Sequence, residues 1–398
     1  VTKRGGPGIS RRAAVVVVSI AIAVSAAVAI EGPNADAAPV PVITVSTRSC
    51  APGWTAPSAG QRTFSVKNTS GELFDVELVG ADQVTVYGEI EKVAPRTDVD
   101  LTTTVPPGTY RWRCAGISGT ETISAPARVT GRSGSPAHPY VPVTYDQLQA
   151  VTLAYRTAVT AGLAQLTSDT DQLQAAVDSG DQAQAEALWL VAHMQYERLG
   201  AAYGTFGDFD TEIDGRPQGL AGGVNDPKFQ GFLRLEYGLW NGQPTAVLAP
   251  VADALDAAVH GLDQAFPLQQ TPPNDVALRT HEILENSLQF ELTGETDEGS
   301  HTNLATVRAN VDGTMMTLQA VTPLLRQRNP ALLRQVTTGL AQLATLLDQY
   351  QHPAGTWVPL DSLTQTQREQ LDGAVSELVE QLAPIPDILE LPQDAASE

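Results

Sequence analysis

The chain is 398 residues long, enough for two or three domains and a substantial buried core. Lysine and arginine number 24 against 45 aspartates and glutamates, a formal net charge of -21. A surface that acidic repels phosphate backbones and anionic membranes, which argues against nucleic acid as a partner; it suits either the solubility of an exported protein or the handling of cations.

Lys3, Arg4, Arg11 and Arg12 precede an apolar run from Ala13 to Ile30, and Ala35-Asp36-Ala37 supplies small residues for cleavage before Ala38. Residues 1–37 therefore read as an export signal, with Ser10-Arg11-Arg12 a loose match to a twin-arginine start. The apolar run is at the short end for a membrane span, which leaves an uncleaved anchor as the alternative, and no cysteine follows it to carry a lipid. In either case the folded part is expected outside the cytoplasm, periplasmic or at the cell envelope, and the membrane is met only through this segment.

From 42 to 130 apolar residues alternate with polar ones at period two: Phe64 and Val66, Phe74, Val76 and Leu78, Val84 and Val86, Tyr110 and Trp112. Turn signals at Asn68-Thr69-Ser70-Gly71 and Pro106-Pro107-Gly108 separate these runs, so a small antiparallel β-sandwich is expected. The two cysteines, Cys50 and Cys114, both fall here. In an exported chain they form a disulfide or act as a pair of thiolate metal ligands, and their spacing does not choose, because the CxxC of a structural metal site is absent. If Phe74, Val76 and Leu78 face the core, Asp75 and Glu77 share the outer face, and Glu89 and Glu91 pair similarly on the next strand. Such neighbours repel unless a cation or an arginine intervenes, which makes them either a metal-binding face or a solvated acidic one. A blue-copper centre is not expected, since it needs two histidines, a cysteine and usually a methionine, and the region holds neither histidine nor methionine.

Residues 131–143, rich in glycine, serine and proline, read as a linker. From 144 to 385 the period becomes helical, and 386–398 reads as an acidic tail. Thr144 with Gln147 forms a capping box for a first helix. Further helices are expected over 181–204, 227–240, 245–266, 274–292, 303–328, 330–350 and 364–382, punctuated at Gly180, Gly294 and Pro353-Ala354-Gly355. Short connections between many amphipathic helices imply antiparallel bundles.

The richest stretch runs from Tyr196 to Trp240, reading YERLGAAYGTFGDFDTEIDG and then, after a Gly/Pro-rich gap, DPKFQGFLRLEYGLW. Glu197 and Glu236 sit among apolar neighbours on separate helices, and a buried carboxylate there needs a cation or an ion-pair partner; Arg198 and Arg234 stand ready for the latter. His193 lies at i and i+4 with Glu197 and projects from the same face, as a ligand or as an ordinary hydrogen-bonded histidine. His281 and His301 are further candidates beside Glu282, Glu285 and Asp297, with helix capping by Ser300 and Thr302 as the competing explanation.

This stretch resembles the imelysin family, in its EfeO/EfeM branch of iron-uptake proteins, over about 144 to 382. The segment with Cys50 in RSCAPGW and the Pro-Gly turn before TYRWRC is similar to the cupredoxin-like domain that precedes the imelysin domain in that branch. The resemblance implies a cupredoxin-like β-sandwich followed by an all-α double four-helix bundle. It implies a metal site at Glu197, Asp214 and Glu236, and further ligands among Cys50, Cys114, Asp75, Glu77, Glu89 and Glu91. Where the family has histidine three residues before the last glutamate, this chain has Leu233, which cannot coordinate, so His193 becomes the candidate imidazole. Carboxylates with one imidazole suit iron or another divalent ion such as zinc or copper. The implied role is the extracytoplasmic metal-binding component of an EfeUOB-type iron uptake system. Its implied partners are an iron permease and a dye-decolourising-type peroxidase. The alternative is a family member with a degenerate metal site, serving as a structural or polyanion-binding cell-envelope protein. Peptidase activity, suggested by the family name, is not expected, because no HExxH helix or nucleophile elbow occurs.

Overall fold

The computed structural model describes residues 40–391. The expected export signal at 1–37 and the tail beyond 391 lie outside the described residues. Strands come first, in chain order β1 (Val42–Ser46), β2 (Ser49–Cys50), β3 (Gly60–Asn68), β4 (Phe74–Val79), β5 (Val86–Val93), β6 (Asp98–Val105), β7 (Gly108–Gly116), β8 (Glu121–Ile123) and β9 (Ala127–Val129). One sheet has the order β2-β1-β3-β6; the other has β5-β4-β7-β8, with β9 paired to β7. The alternation read from the sequence puts Phe64, Val66, Phe74, Val76, Leu78 and Trp112 between the sheets, all fully buried.

Two expectations change. The sandwich is not wholly antiparallel: β1 pairs parallel to β3, because the chain between them leaves through β2 and returns along 51–59, where Trp54 Nε1 donates to Ala125 O at 3.0 Å. Val84 is 49% exposed in the turn before β5, which starts only at Val86.

The helical domain begins at α1 (Tyr145–Ser179), whose Thr144–Gln147 capping box is present as expected. It continues through α2 (Gln182–Glu197), α3 (Tyr203–Phe206), α4 (Asp208–Asp214), α5 (Gly231–Trp240), α6 (Thr245–Ala265), α7 (Asp275–Asn286), α8 (Asn303–Arg328), α9 (Pro330–Asp348), α10 (Gln365–Leu382) and α11 (Pro384–Ile388). Helices α1, α2, α5 and α6 pack as one four-helix bundle and α7, α8, α9 and α10 as a second. The two share one continuous apolar core, since α8 also packs on α1 and α2. The segment Thr245–Leu268 is apolar and long enough to cross a membrane by composition, and here α6 packs against α1 and α5.

The segment read as a linker is pinned at its end. Val86 and Tyr140 exchange backbone hydrogen bonds of 2.8 and 3.0 Å, and Arg328 donates to Val141 O at 2.8 Å and Pro142 O at 2.6 Å. The expected tail likewise begins inside the fold, because α11 continues past 386 and Leu389 and Leu391 are buried. At the start of α8, Thr302 occupies the cap position without a side-chain cap bond; its hydroxyl pairs instead with Ser300 Oγ at 2.8 Å.

Candidate metal centre

Helix α2 organises the site. Asp181 caps it through a 3.1 Å bond from Gln184 N, and two of its aromatic residues, Trp189 and Tyr196, fix what surrounds it. Trp189 donates Nε1 to Phe232 O at 2.9 Å and so ties α5 to α2, while Tyr196 donates its hydroxyl to Asp210 Oδ1 at 2.6 Å and so ties α4. Trp189 also stacks on the His193 ring, 4.7 Å between centroids, which limits the imidazole's freedom. Gly231, at φ 83°, opens α5 hard against the end of α4: a Cβ there would lie 2.2 Å from Ile213 O. That contact sets Asp214 beside α2. Gly313 does the same for the second bundle, where a Cβ would come 2.8 Å from Arg198 O.

The result is a convergence that no local pattern displays. His193 Nε2 lies 3.5 Å from Glu197 Oε1 and 3.5 Å from Asp214 Oδ1, and the three residues each offer a ligand atom within 4.8 Å of the others. Ligand atoms on one tetrahedral ion at 2.0–2.2 Å stand about 3.4 Å apart, so the spacing fits a shared cation. Glu236 is 1% exposed; its Oε1 accepts from Glu298 N at 3.2 Å and Ser300 N at 2.9 Å, and its Oε2 is buried without a partner. His193 Nδ1 and Asp214 Oδ1 are likewise buried without a hydrogen-bond partner. A cation within the His193–Glu197–Asp214 cluster would give the Asp214 oxygen the partner it lacks.

The arginines that stood as alternative partners are engaged elsewhere. Arg198 pairs with Asp312 at 3.3 Å, and Arg234 donates to Gln243 Oε1 at 3.0 Å. Leu233 is 2% exposed on α5 and supplies no donor atom, and the one imidazole in the cluster is His193 of α2.

Electrostatics follow from burial. Burial pulls the His193 imidazole down, but its pairing with Asp214 and the charges of Glu197, Asp214 and Glu236 outweigh that, and it is pushed up to about 9. Burial pushes Glu197 upward, opposed by His193 and reinforced by Asp214 and Glu291. Glu236 is pushed up to about 8 by burial, against the hydrogen bonds from Ser300. These shifts favour the protonated forms of the ion-free cluster, so a cation bound there would compete with protons.

Two residues were missed by reading the chain alone. Glu291 is buried and pushed upward by burial, and its charge bears on Glu197. It sits on a π-helical turn, Ser287–Glu291, that extends α7 and is marked by the bond from Leu292 N to Ser287 O at 2.9 Å. Asn310 of α8 lies with its amide nitrogen, in the favoured orientation, 3.0 Å from Glu197 Oε2. The only signal for Glu291 was an acidic residue in an apolar run. Beside these residues a cavity of about 330 Å³ opens, lined also by Arg216, Arg279 and Phe290.

The other candidates lie apart. Cys50 and Cys114 form a disulfide, buried between the sheets with Cα atoms 5.6 Å apart, which corrects the reading of them as thiolate ligands: sulfurs bonded to each other carry no thiolate. Glu77 faces Glu89 across β4 and β5, and the ion pair from Arg113 to Glu77 occupies it. Glu89 is hydrogen-bonded by the Tyr140 hydroxyl, and Asp75 Oδ1 accepts from Lys92 N at 2.5 Å. Glu91 lines a separate cavity with Glu89, Asp387 and Glu390. His281 lies 3.9 Å from Glu285, and His301 pairs with Asp297 at 2.9 Å on an exposed loop.

Residues 151–385 match the imelysin family model. The chain is 29% identical over 359 residues to the iron uptake system component EfeO of Escherichia coli O157:H7, covering 90% of this chain and 94% of the relative. The same figures hold for the EfeO proteins of Escherichia coli K12 and Shigella flexneri. Among solved structures, a Parabacteroides distasonis protein described as an iron-regulated protein A precursor is similar at a TM-score of 0.49 and 13% identity, covering 63% of this chain and 96% of that one.

Proposed function

The chain belongs to the imelysin family, and on that premise we propose that it is the extracytoplasmic metal-binding component of an iron uptake system. In this reading it holds a ferrous, ferric or similar ion at His193, Glu197 and Asp214 for delivery to a membrane permease. The observation that carries it is the set of three ligand atoms within 4.8 Å, drawn from two helices, with the Asp214 oxygen buried and lacking a hydrogen-bond partner. Relatives named for iron uptake, matching over 90% of the chain, support it.

The residues divide the work. His193 and Glu197 offer donors from one face of α2, and Asp214 closes the set from the end of α4. Glu236 keeps one oxygen on the 298–300 loop and one free, so it tethers that loop to the site. Asn310 steadies Glu197 from the second bundle. Releasing an ion requires only that the displaced protons return, which links delivery to local pH. The acidic face of β4 and β5 acts as a cation-attracting surface and not as a coordination site, because Arg113 and Tyr140 already occupy Glu77 and Glu89. The implied partners are an iron permease and a dye-decolourising-type peroxidase; peptidase activity forms no part of the reading.

Leu233 favours the second reading, a family member with a degenerate site that serves structurally in the cell envelope or binds polyanions. Metal analysis of the purified protein and calorimetric titration with ferrous, ferric, zinc and cupric ions separate the two. His193→Ala and Glu197→Gln are each expected to weaken binding by on the order of a hundredfold. Equal titrations for the wild type and both variants would refute the site. Leu233→His is expected to strengthen binding where the added imidazole reaches the same ion.

A further inference from the structure

The cavity beside His193, Glu197 and Asp214 is larger than an ion requires. Its volume is about 330 Å³, whereas one water occupies roughly 30 Å³ in the liquid. It reaches the lower end of the range of small-molecule pockets. Two guanidinium groups, Arg216 and Arg279, line it together with the carboxylates. Positive charge there opposes a bare cation.

Neither arginine makes an ion pair or hydrogen bond to the candidate ligands, although the Arg216 charge bears on Glu197. Arg279 places Nη1 2.8 Å from Glu282 Oε2, yet its Nε is buried without a hydrogen-bond partner. The Arg216 guanidinium lies over the Phe290 ring, 3.8 Å from its centroid, and among the described residues makes no ion pair or hydrogen bond. The charges of both bear on Asp210 at the cavity wall, so they address one space. The Arg279 Nε is a buried donor left unpaired on a half-buried guanidinium, and a guanidinium fork matches two oxygens of a single anion. The arginines are thus arranged to receive an oxyanion in the chamber where the ion would sit.

Resting on the metal-binding reading above, the geometry points to a ternary site: the ion is held together with a small oxyanion, a carboxylate, carbonate or phosphate, whose oxygens bridge it to Arg216 and Arg279. The anion adds oxygen ligands to those of His193, Glu197 and Asp214 and neutralises the guanidiniums. The cargo is then a metal–oxyanion complex and not the bare ion.

The test uses the full-length exported protein and two titrations with zinc or, anaerobically, ferrous ion. The first uses the metal alone; the second repeats it with bicarbonate, citrate or inorganic phosphate present. The oxyanion is expected to raise metal affinity by about tenfold, a normal coupling between linked sites. In Arg216→Gln/Arg279→Gln that enhancement is lost, while binding of the metal alone is stronger than in the wild type, because two opposing charges are gone. Arg216→Lys/Arg279→Lys, which keeps the charge but not the fork, serves if the first variant does not fold, and is expected to lose most of the enhancement. A bicarbonate effect identifies a small inorganic co-ligand, and a citrate effect without one identifies a chelator that travels with the ion. Metal binding with no oxyanion effect, or an equal effect in the variants, overturns the ternary site while leaving the metal reading intact. No metal binding in either titration overturns the metal reading itself.

Discussion

Two regions of this molecule gather carboxylates, and they resolve the repulsion in opposite ways. On the sandwich, Glu77 and Glu89 face each other across β4 and β5, and each has a protein partner, Arg113 and the Tyr140 hydroxyl. At the junction of the helical bundles, Glu197, Asp214, Glu236 and Glu291 surround His193, while nearby Arg198 and Arg234 turn to other acceptors. The first is a charged surface already balanced by its own strands. The second is buried, retains side-chain atoms without a hydrogen-bond partner, and has His193 as the imidazole among its acids. The number of acids in a patch thus says little; whether the fold has already supplied their partners says more.

The comparison breaks most visibly at the disulfide. Cys50→Ala/Cys114→Ala is expected to cost about 3 to 4 kcal/mol, confined to the sandwich, with metal affinity of the helical domain unchanged. Urea unfolding followed beside zinc titration checks it, and a parallel loss of metal binding would show that the two regions form one site. Gly231→Ala should come next, at about 2 kcal/mol or more, because it places a Cβ 2.2 Å from Ile213 O at a positive φ. Its mark is a weakened metal site, since the clash displaces Asp214.

The dependence on pH sharpens the contrast. Glu236, pushed up to about 8, and Glu197, pushed upward, bind protons in the folded chain that the unfolded chain releases. His193, pushed up to about 9, does the same over a higher range. Both kinds of group contribute stability that is fully present below their unfolded values and is lost as pH rises through the folded ones. The ion-free protein is therefore expected to melt at a lower temperature at pH 9 than at pH 6. Metal affinity runs the other way, rising by about tenfold per pH unit for each proton displaced and levelling off above pH 9. Melting curves with and without zinc across this range read both slopes; a flat affinity profile would mean that no proton leaves with the ion. The smallest expected effect is on the sandwich, where Glu89→Gln changes zinc affinity by less than about twofold, because the Tyr140 hydroxyl already engages it.

Several of these features were legible in the chain. The alternation of Phe74, Val76 and Leu78 against Asp75 and Glu77 predicts which face of β4 is buried, because a strand's side chains alternate strictly. The Thr144–Gln147 box predicts the start of α1, and the spacing of His193 and Glu197 predicts a shared helix face. The parallel pairing of β1 with β3 was not legible, since it depends on where the 51–59 segment returns. Nor was the π-helical turn that carries Glu291, a matter of one residue's difference in hydrogen-bond register.

Periodicity, capping and composition act over a few residues, and they sufficed to place the sandwich before the bundles and to single out the carboxylates worth following. Partner choice acts between residues far apart in the chain. Arg198 pairs with Asp312, 114 positions away, while Glu197 lies beside His193. Close contacts at Gly231 and Gly313 brought α4, α5 and α8 against α2, and that packing turned separate acidic residues into one buried cluster. The cost of burying a charge depends on everything packed around it, so the buried cluster exists only once the bundles have closed.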